Sequence, residues 1–282
     1  MKLTDIVDPT SGDKLFSFPI PSDVLNHEVT NILVTEDLSR YYFEIKGVVY
    51  LSQHFRSYLD CNEFFSSNIP KVVNEEALNW YKNYRENFGS FKFNEFSKFF
   101  DGALVDNMKV LDFISADGNI IDILSERAKH AGKAVTFFAL DLDFHALKSL
   151  KLRQPEVICV CCDATKKAFR TSTFDLVFSN SIHHVPKSTE TVFANISEML
   201  NLHGVFSGVE SQGLLAKLVV FFISLLPKFL IPNSISEIYN ERKLLRSWLS
   251  SSLIVRCRSI EGFHIVKHTL FHCFYQIKKN CL

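Results

Sequence analysis

Residues 109–119, which read KVLDFISADGN, decide the fold. The segment begins as an apolar run, carries an acid at Asp112, and passes through a loop into a stretch with helical spacing that reaches His130. Four further apolar runs follow along the chain, and most are separated by helical stretches: 134–140, 156–162, 174–180 and 204–210. Continuous apolar strands that alternate with helices predict a parallel sheet covered by helices on both faces.

The two ends of the chain depart from this alternation. Residues 1–60 contain short β-branched and aromatic runs broken by turn residues, which predicts a small β-rich domain, and the helical spacing in 61–106 predicts a helical linker. Two strand-like runs within 262–279 have too little chain between them for a helix, so an antiparallel edge hairpin is expected. The predicted fold class is therefore α/β, with a doubly wound, mostly parallel sheet over 107–282 that ends in this hairpin.

The composition excludes several classes of protein. Of the 282 residues, 47% are apolar and 22% are charged, which is typical of a folded globular chain and not of a disordered or collagen-like one. Lys and Arg together number 31, as do Asp and Glu, so no net charge favours nucleic acid as a partner. Seven cysteines and the lack of a secretory segment at the N-terminus predict a reduced, cytoplasmic protein.

Acidic residues follow three of the apolar runs, close to where each run ends. Asp112, Asp141 and Asp163 stand at the first, second and third runs, and Ser179-Asn180 stands at the fourth. In a doubly wound sheet the ligand lies beyond the carboxyl ends of the strands. The ordered series of three acids therefore predicts a binding pocket at that edge of the sheet.

The segment 107–279 resembles a class I S-adenosylmethionine-dependent methyltransferase, the seven-stranded kind. In that family the first strand leads through an acid into a Gly-x-Gly-x-Gly loop, which this chain renders as VLDFISADG. The resemblance implies S-adenosylmethionine as cofactor, with Asp141 on the ribose hydroxyls and Asp163-Ala164 beside the adenine. The residues implied to bind the cofactor are Asp112, Phe113, Ile114, Ser115, Gly118, Asp141, Leu142, Asp163, Ala164, Ser179 and Asn180.

The glycine loop departs from the family pattern at two positions. Ile114 and Ala116 stand where the first two glycines would be, while Gly118 matches. A β-branched residue disfavours a positive φ, so the turn is expected to be built differently or to narrow the methionine end of the pocket. A catalytically inactive, methyltransferase-shaped scaffold that binds a partner is the alternative that this loop leaves open.

Two histidines follow the fourth run and are the candidate catalytic residues. The resemblance places His183 and His184 where the acceptor meets the methyl donor, and His183 matches the base of some small-molecule O-methyltransferases. A base is needed when the acceptor is a hydroxyl, and an imidazole has a suitable pKa for that role. The resemblance therefore implies transfer to a small molecule, a sugar or a lipid intermediate, most readily on oxygen, although packing roles for both histidines stay open.

The N-terminal segment has a resemblance of its own. DPTSGDKL (8–15), followed by YYFEIKGVVYL (41–51), is similar to a small zinc-ribbon-like domain that precedes many bacterial methyltransferases. Asp8 and Ser11 stand where that domain has cysteines, so we expect no zinc. The three clustered cysteines, 159, 161 and 162, alternate faces along a strand and are expected to be core thiols.

A hydrophobic insert occupies 212–233 and contains LLAKLVVFFISLLPKFLI (214–231). Lys217, Pro227 and Lys228 keep it short of the ~20 apolar residues that span a bilayer. A core helix, a lid over the acceptor pocket, and an interfacial helix with peripheral contact to membrane or to a lipid-linked acceptor are the three interpretations. The sequence does not indicate the oligomeric state.

Overall fold

The computed structural model describes residues 3–20, 29–56, 60, 95–100, 102–180, 182, 189–211, 264–268 and 272–279. The two candidate catalytic histidines, His183 and His184, lie outside the described residues. So do the hydrophobic insert and most of the predicted linker, of which 95–100 and 102–106 are described.

In addition to helical residues at 60 and 95–97, the described part of the chain contains three α-helices and eleven β-strands. The helices are α1 (Asn119–His130), α2 (Phe144–Arg153) and α3 (Thr189–Met199), and a short 3-10 helix, Lys98–Phe100, precedes the first of them. The strands are β1 (Leu15–Pro19), β2 (Val29–Thr35), β3 (Tyr41–Ile45), β4 (Val48–Phe55), β5 (Lys109–Phe113), β6 (Thr136–Asp141), β7 (Ile158–Cys161), β8 (Phe174–Ser179), β9 (Leu200–Ser211), β10 (His264–His268) and β11 (His272–Lys278). All five apolar runs of the alternating segment therefore form strands.

All eleven strands belong to one sheet in the order β1-β2-β3-β4-β7-β6-β5-β8-β9-β11-β10. Five neighbouring pairs, from β4 to β9, are parallel, and the other five are antiparallel. The prediction of a mostly parallel sheet is therefore wrong for the sheet as a whole. The physical reason is that antiparallel strands from both chain ends add to the parallel centre.

The N-terminal strands continue the sheet of the α/β segment. β4 pairs in parallel with β7, with Val49 opposite Val160. β3 and β4 form a hairpin around Lys46 and Gly47, both of which have a positive φ, the conformation that a two-residue hairpin turn requires. The β-rich character of this segment agrees with the sequence pattern, whereas its attachment to the central sheet depends on a pairing across about a hundred residues.

Apolar clusters cover both faces of the sheet. Side chains alternate between the faces along a strand, so Val110 and Leu111 enter different clusters. α1 and α2 pack on the face of Val110, and α3 packs on the face of Leu111. The expectation of helices on both faces is thereby met, and the buried ends of the central strands are held between these layers.

The three clustered cysteines, two in β7 and one directly after it, lie on alternating faces of the sheet, as the sequence predicts. Cys159 and Cys161 enter one apolar cluster and Cys162 the other, and all three are free thiols.

β10 and β11 form the antiparallel edge hairpin that the sequence predicts, and β11 joins it to β9. Within the described residues, no helix combines the length and the apolar character needed to cross a membrane.

Candidate cofactor site

The carboxyl ends of three central strands bring two of the predicted acids to one edge of the sheet. β5, β6 and β7 are neighbours, with Asp112 opposite Ala139 and Asp141 opposite Cys161. Asp163 follows the last residue of β7 by two positions. Because the strands are parallel, their ends share one edge, and the loops that follow them meet there.

Asp112 lies within the sheet at the end of β5 and is almost completely buried, with 1% of its surface exposed. Neither of its carboxyl oxygens has a hydrogen-bond partner among the described residues. Burial raises the pKa of Asp112 well above its ordinary value, and the charges of Asp141 and Asp117 raise it further. A buried polar group without a partner costs free energy, so a group of this kind indicates a site that a ligand completes.

Asp141 is held in place by the backbone. The N–H of Ala116 donates to its Oδ2 atom at 2.7 Å, and the N–H of Asp143 donates to its Oδ1 atom at 2.8 Å. Burial raises the pKa of this carboxyl, and the backbone donors oppose that rise. A carboxylate has about four lone-pair sites, so these bonds fix its orientation and leave capacity for a diol.

The loop between β5 and α1 adopts the glycine conformation at both substituted positions. Ile114 has φ 63° and Ala116 has φ 49°, and Gly118 has φ 71°. The expectation that Ile114 would avoid a positive φ is therefore wrong. Its side chain packs against the core, and the bond from the Ser115 N–H to the Leu140 carbonyl, at 3.0 Å, holds the neighbouring residue to β6.

The loop therefore holds two residues other than glycine, Ile114 and Ala116, in the left-handed conformation, at a cost in strain. A left-handed conformation costs a residue other than glycine roughly 1–2 kcal/mol. Strain of this kind persists where the surrounding structure imposes it, and it is concentrated at functional sites. The loop does not favour the inactive scaffold, because Ile114 and Ala116 both adopt the left-handed conformation that glycine takes readily.

The strain at Ala116 has a measurable consequence. We expect Ala116→Gly to raise the free energy of unfolding by about 0.5–1 kcal/mol, because glycine removes the left-handed penalty and adds only part of it back as chain entropy. Ala131→Gly is the matched control: Ala131 ends α1 with φ −83°, so the same change should lower stability. Urea unfolding of both variants measures the two changes in the free energy of unfolding. Changes of the same sign in Ala116→Gly and Ala131→Gly would contradict the prediction.

Gly118 is required by its surroundings as well as by its dihedral angle. A Cβ atom at this position would lie 2.6 Å from Cδ2 of Leu150 in α2. Gly118 also forms the N-terminal cap of α1, and its N–H donates to the Ser115 carbonyl at 3.0 Å. The close packing of α1 on α2 therefore positions the loop over the strand ends.

Asp117 is a buried acid of this loop that the sequence pattern did not single out. Only 1% of its surface is exposed, its Oδ1 accepts from Nδ2 of Asn119 at 2.6 Å, and its carbonyl accepts from Arg153. It contributes to the raised pKa of Asp112. A signal was available in the sequence, since an Asp just before the cap glycine of a helix lies on the same loop as the strand-end acid.

The other predicted cofactor residues lie around this edge in different environments. Asp163 is partly buried, and its Oδ1 accepts from the N–H and the hydroxyl of Thr165, each at 2.8 Å. Leu142 is 63% exposed directly beside Asp141, which is unusual for a large apolar side chain at the end of a buried strand. Buried side chains make up most of the remainder: Phe113, Ser115, Ala164 and Ser179, with Asn180 partly exposed.

The site residues that are described fit S-adenosylmethionine, the cofactor that the resemblance implies. Asp141 offers oriented oxygens with acceptor capacity for a ribose, and Leu142 offers an exposed apolar surface beside it. Asp112 offers a buried carboxyl that has no partner among the described residues. The arrangement therefore suits a ligand with both a nucleoside and a polar end.

The N-terminal turn is held by an ion pair at the positions that the zinc-ribbon resemblance assigns to cysteines. Asp8 is fully buried, its Oδ2 accepts from Nε of Arg40, and its Oδ1 accepts from the Tyr42 hydroxyl at 3.0 Å. The Oγ of Ser11 accepts from Nη2 of the same arginine at 3.0 Å. Among the described residues no group of His, Cys, Asp and Glu could hold a metal ion, and the zinc-ribbon resemblance is not confirmed.

Comparison with protein families locates a known domain on this part of the chain. The family model described as a methyltransferase domain matches residues 110–204, which run from β5 into β9. The match includes Asp112, the loop, Asp141 and Asp163. No curated protein matches the chain.

Three of the solved structures to which this chain is similar are described here by their identity and coverage. A TehB-like SAM-dependent methyltransferase from Corynebacterium glutamicum is 15% identical, with 72% of this chain and 98% of that one covered and a TM-score of 0.48. A putative methyltransferase in complex with the Haloferax volcanii Trm112 activator is 12% identical, with coverage of 72% and 97% and a TM-score of 0.48. A possible exported protein from Bordetella parapertussis is 11% identical, with 66% of each chain covered and a TM-score of 0.47.

The family match coincides with the strand-end acids and with the loop that keeps its left-handed backbone. Its limits include both helices that pack over the first loop, α1 and α2. Over residues 110–204 the chain is therefore similar to the methyltransferase domain that this family model describes.

Proposed function

We propose that the chain transfers a methyl group from S-adenosylmethionine to oxygen of a small-molecule, sugar or lipid-linked acceptor. The observation that carries the cofactor half of this proposal is the meeting of Asp112 and Asp141 at one sheet edge, where Asp112 has no partner among the described residues. The acceptor half rests on the His183 resemblance and on the even charge balance, which gives no support to nucleic acid.

The residues of the site act by binding and orientation. The Asp141 carboxylate, fixed by the N–H groups of Ala116 and Asp143, accepts hydrogen bonds from the ribose hydroxyls. Asp163 and Ala164 would border the adenine, and the exposed side chain of Leu142 would offer an apolar surface to it. Holding donor and acceptor in line supplies a large part of the rate acceleration in a displacement of this kind.

The bound cofactor supplies an electrophilic methyl group on a positively charged sulfur. In the transfer, a bond would form between the acceptor oxygen and the methyl carbon while the carbon–sulfur bond would break, with its electron pair left on sulfur. The proton of the acceptor hydroxyl passes to a base, for which His183 is the proposed residue. Its imidazole can hold that proton near neutral pH.

The acceptor class is tested by label transfer. The protein is incubated with S-adenosylmethionine carrying tritium in the methyl group, together with separated water-soluble, lipid, protein and RNA fractions of a cell extract. Label in the water-soluble or lipid fraction is the expected result. Label confined to RNA or protein would overturn the proposed acceptor and leave the methyltransferase activity standing.

The proposed role of His183 is tested on the fraction that accepts label. We expect His183→Ala to lower the rate of transfer about 100-fold, because a positioned base contributes roughly that factor or more, with an unchanged Kd for S-adenosylmethionine. His184→Ala should have a smaller effect. His203→Ala, on an exposed position of β9, is the control and should leave the rate unchanged. An active His183→Ala variant would remove the histidine from the mechanism.

A further inference from the structure

Asn195 lies in α3, outside the residues assigned to the cofactor, and its side chain is bonded to the loop that follows β7. We propose that Asn195 is a positioning residue that fixes the loop carrying Asp163 and Ala164, so that the site binds adenine in preference to another purine base. This inference rests on the proposed function, since it concerns how the same site recognises the base of its cofactor.

One amide group of α3 holds two carbonyls of this loop. Nδ2 of Asn195 donates to the carbonyl of Ala164 at 3.2 Å and to the carbonyl of Lys166 at 3.3 Å. A side-chain amide nitrogen carries two hydrogens, so it can serve both carbonyls at once, whereas a hydroxyl carries one hydrogen and a carboxylate none. The bridge therefore ties a residue proposed to border the adenine to a single point on the helix.

That point is rigid because α3 is packed against the sheet. Val192 and Ile196 are fully buried in the apolar cluster that also contains Ala164. Phe193 meets the ring of Phe206 in β9 edge to face, with the ring centroids 5.7 Å apart. The helix is therefore anchored through its apolar side chains while the amide of Asn195 reaches the loop.

The two ends of the same loop are tied to other elements. At its start the N–H of Cys162 donates to the Asp141 carbonyl at 2.9 Å, and at its far end the carbonyl of Ala168 accepts from the N–H of Val7 at 3.0 Å. Asn195 acts on the stretch between these two ties. Its bonds therefore set where the middle of the loop lies relative to the ends of β6 and β7.

The position of this stretch determines how the Asp163 carboxyl is oriented. Its Oδ1 atom accepts from the N–H and the hydroxyl of Thr165, each at 2.8 Å, and the Asp163 carbonyl accepts from the N–H of Lys166 at 2.9 Å. Thr165 lies between the two residues whose carbonyls Asn195 holds. A displacement of those carbonyls would therefore also turn the Asp163 side chain.

The proposed function puts the adenine beside Asp163 and Ala164. A carboxylate only accepts hydrogen bonds, so it favours the exocyclic amino group of adenine, which donates, over the oxygen that hypoxanthine carries at the same place. A site built to bond one polar group discriminates against an analogue that lacks it, provided that the bonding groups are firmly held. Loss of the bonds from Asn195 should therefore reduce the preference for adenine.

The test measures this preference by isothermal titration calorimetry with S-adenosylhomocysteine and with S-inosylhomocysteine, in which oxygen replaces the exocyclic amino group. For the unchanged chain we expect tighter binding of the adenine form. Asn195→Leu keeps the approximate size of the side chain and removes both donated bonds, so it should reduce the ratio of the two dissociation constants roughly tenfold. A tenfold change corresponds to about 1.4 kcal/mol, the net contribution of one or two hydrogen bonds.

Asn201→Leu is the matched control. Asn201 also donates through its Nδ2 atom, to Oδ1 of Asp175 at 2.6 Å, but this bond lies near the first residues of β8 and β9, at the opposite edge of the sheet. The substitution removes a hydrogen bond of the same kind. It should therefore lower the melting temperature and leave the ratio of the two dissociation constants unchanged.

The outcomes separate this inference from the proposed function. If the unchanged chain binds neither ligand, the proposed function itself is rejected. Equal affinities of the unchanged chain for the two ligands would reject only the inference, and so would an Asn195→Leu variant that loses stability but keeps the ratio. If Asn195→Leu does not fold, Asn195→Ser, a smaller change at the same partly exposed position, is titrated in its place, and an unchanged ratio contradicts the inference.

Discussion

Arg40→Met is expected to destabilise the protein by about 3–5 kcal/mol. Arg40 is the cation that faces the fully buried Asp8, and it also binds Ser11, so its loss leaves a buried charge without compensation. Methionine keeps much of the apolar stem of the arginine, so the change reports mainly on the charge. Urea unfolding, with the slope of the transition compared between variants, gives the free energy of unfolding.

Arg56→Met is the matched control for this prediction. Arg56 lies at an exposed position just after β4, so the same substitution should alter the free energy of unfolding by less than about 0.5 kcal/mol. The double variant Asp8→Asn with Arg40→Met should recover part of the stability, because the buried charge is removed together with its partner. A single variant as stable as the control would show that the ion pair does not hold the N-terminal turn.

The lowered pKa of Asp8 predicts how the free energy of unfolding depends on pH. Burial alone would raise the pKa of Asp8, but hydrogen bonds from the Thr10 N–H, Arg40 and Tyr42 outweigh burial and hold the pKa below its ordinary value of 3.8. A lowered pKa stabilises the folded state above the unfolded value, and this contribution is lost as pH falls through the folded pKa. The contribution of Asp8 should therefore be constant near neutral pH and disappear on acidification below about pH 4.

Asp141→Asn is expected to raise the Kd for S-adenosylmethionine about 100-fold. Asparagine offers one acceptor oxygen where the carboxylate offers two, so it cannot serve Ala116, Asp143 and a ribose diol together. Hydrogen bonds to a charged group contribute about 1.5–3 kcal/mol each, and 2.7 kcal/mol corresponds to roughly a hundredfold change in affinity. Calorimetric titration measures the effect directly.

Asp143→Asn is the control two residues further on. Asp143 caps α2 by accepting from the N–H groups of His145 and Ala146, and asparagine serves as well at this position. We expect its Kd to stay within about threefold of the unchanged chain. A similar loss of affinity in both variants would mean that general negative charge, and not the oriented Asp141 carboxylate, binds the cofactor.

The alternating part of the fold could be predicted from the sequence because each of its strands is a continuous apolar run. Runs such as 109–113 and 174–179 are continuously apolar, and every one of the five runs became a strand. The strand-end acids were predictable for the same reason, since the position of Asp112 and Asp141 follows from the ends of those strands. The pattern of apolar runs therefore predicts both the core strands and the positions of Asp112 and Asp141 at the strand ends.

Features that depend on distant partners could not be predicted in this way. The pairing of β4 with β7 joins segments about a hundred residues apart, and the pair of Asp8 with Arg40 depends on how the N-terminal strands fold. The positive φ of Ile114 contradicts its own propensity, because bonds to β6 and packing on the core impose it. The sequence pattern does not single out Asp117, because one acid before a glycine is also typical of an ordinary turn.

The most direct test of the whole account is the binding of S-adenosylmethionine to the folded, unchanged chain. Titration calorimetry should show saturable binding at one site per chain, and the bound cofactor should raise the melting temperature. The same titration with Asp141→Asn should show most of that affinity lost. A folded protein that gives no heat with millimolar S-adenosylmethionine would contradict the account and leave only its architecture.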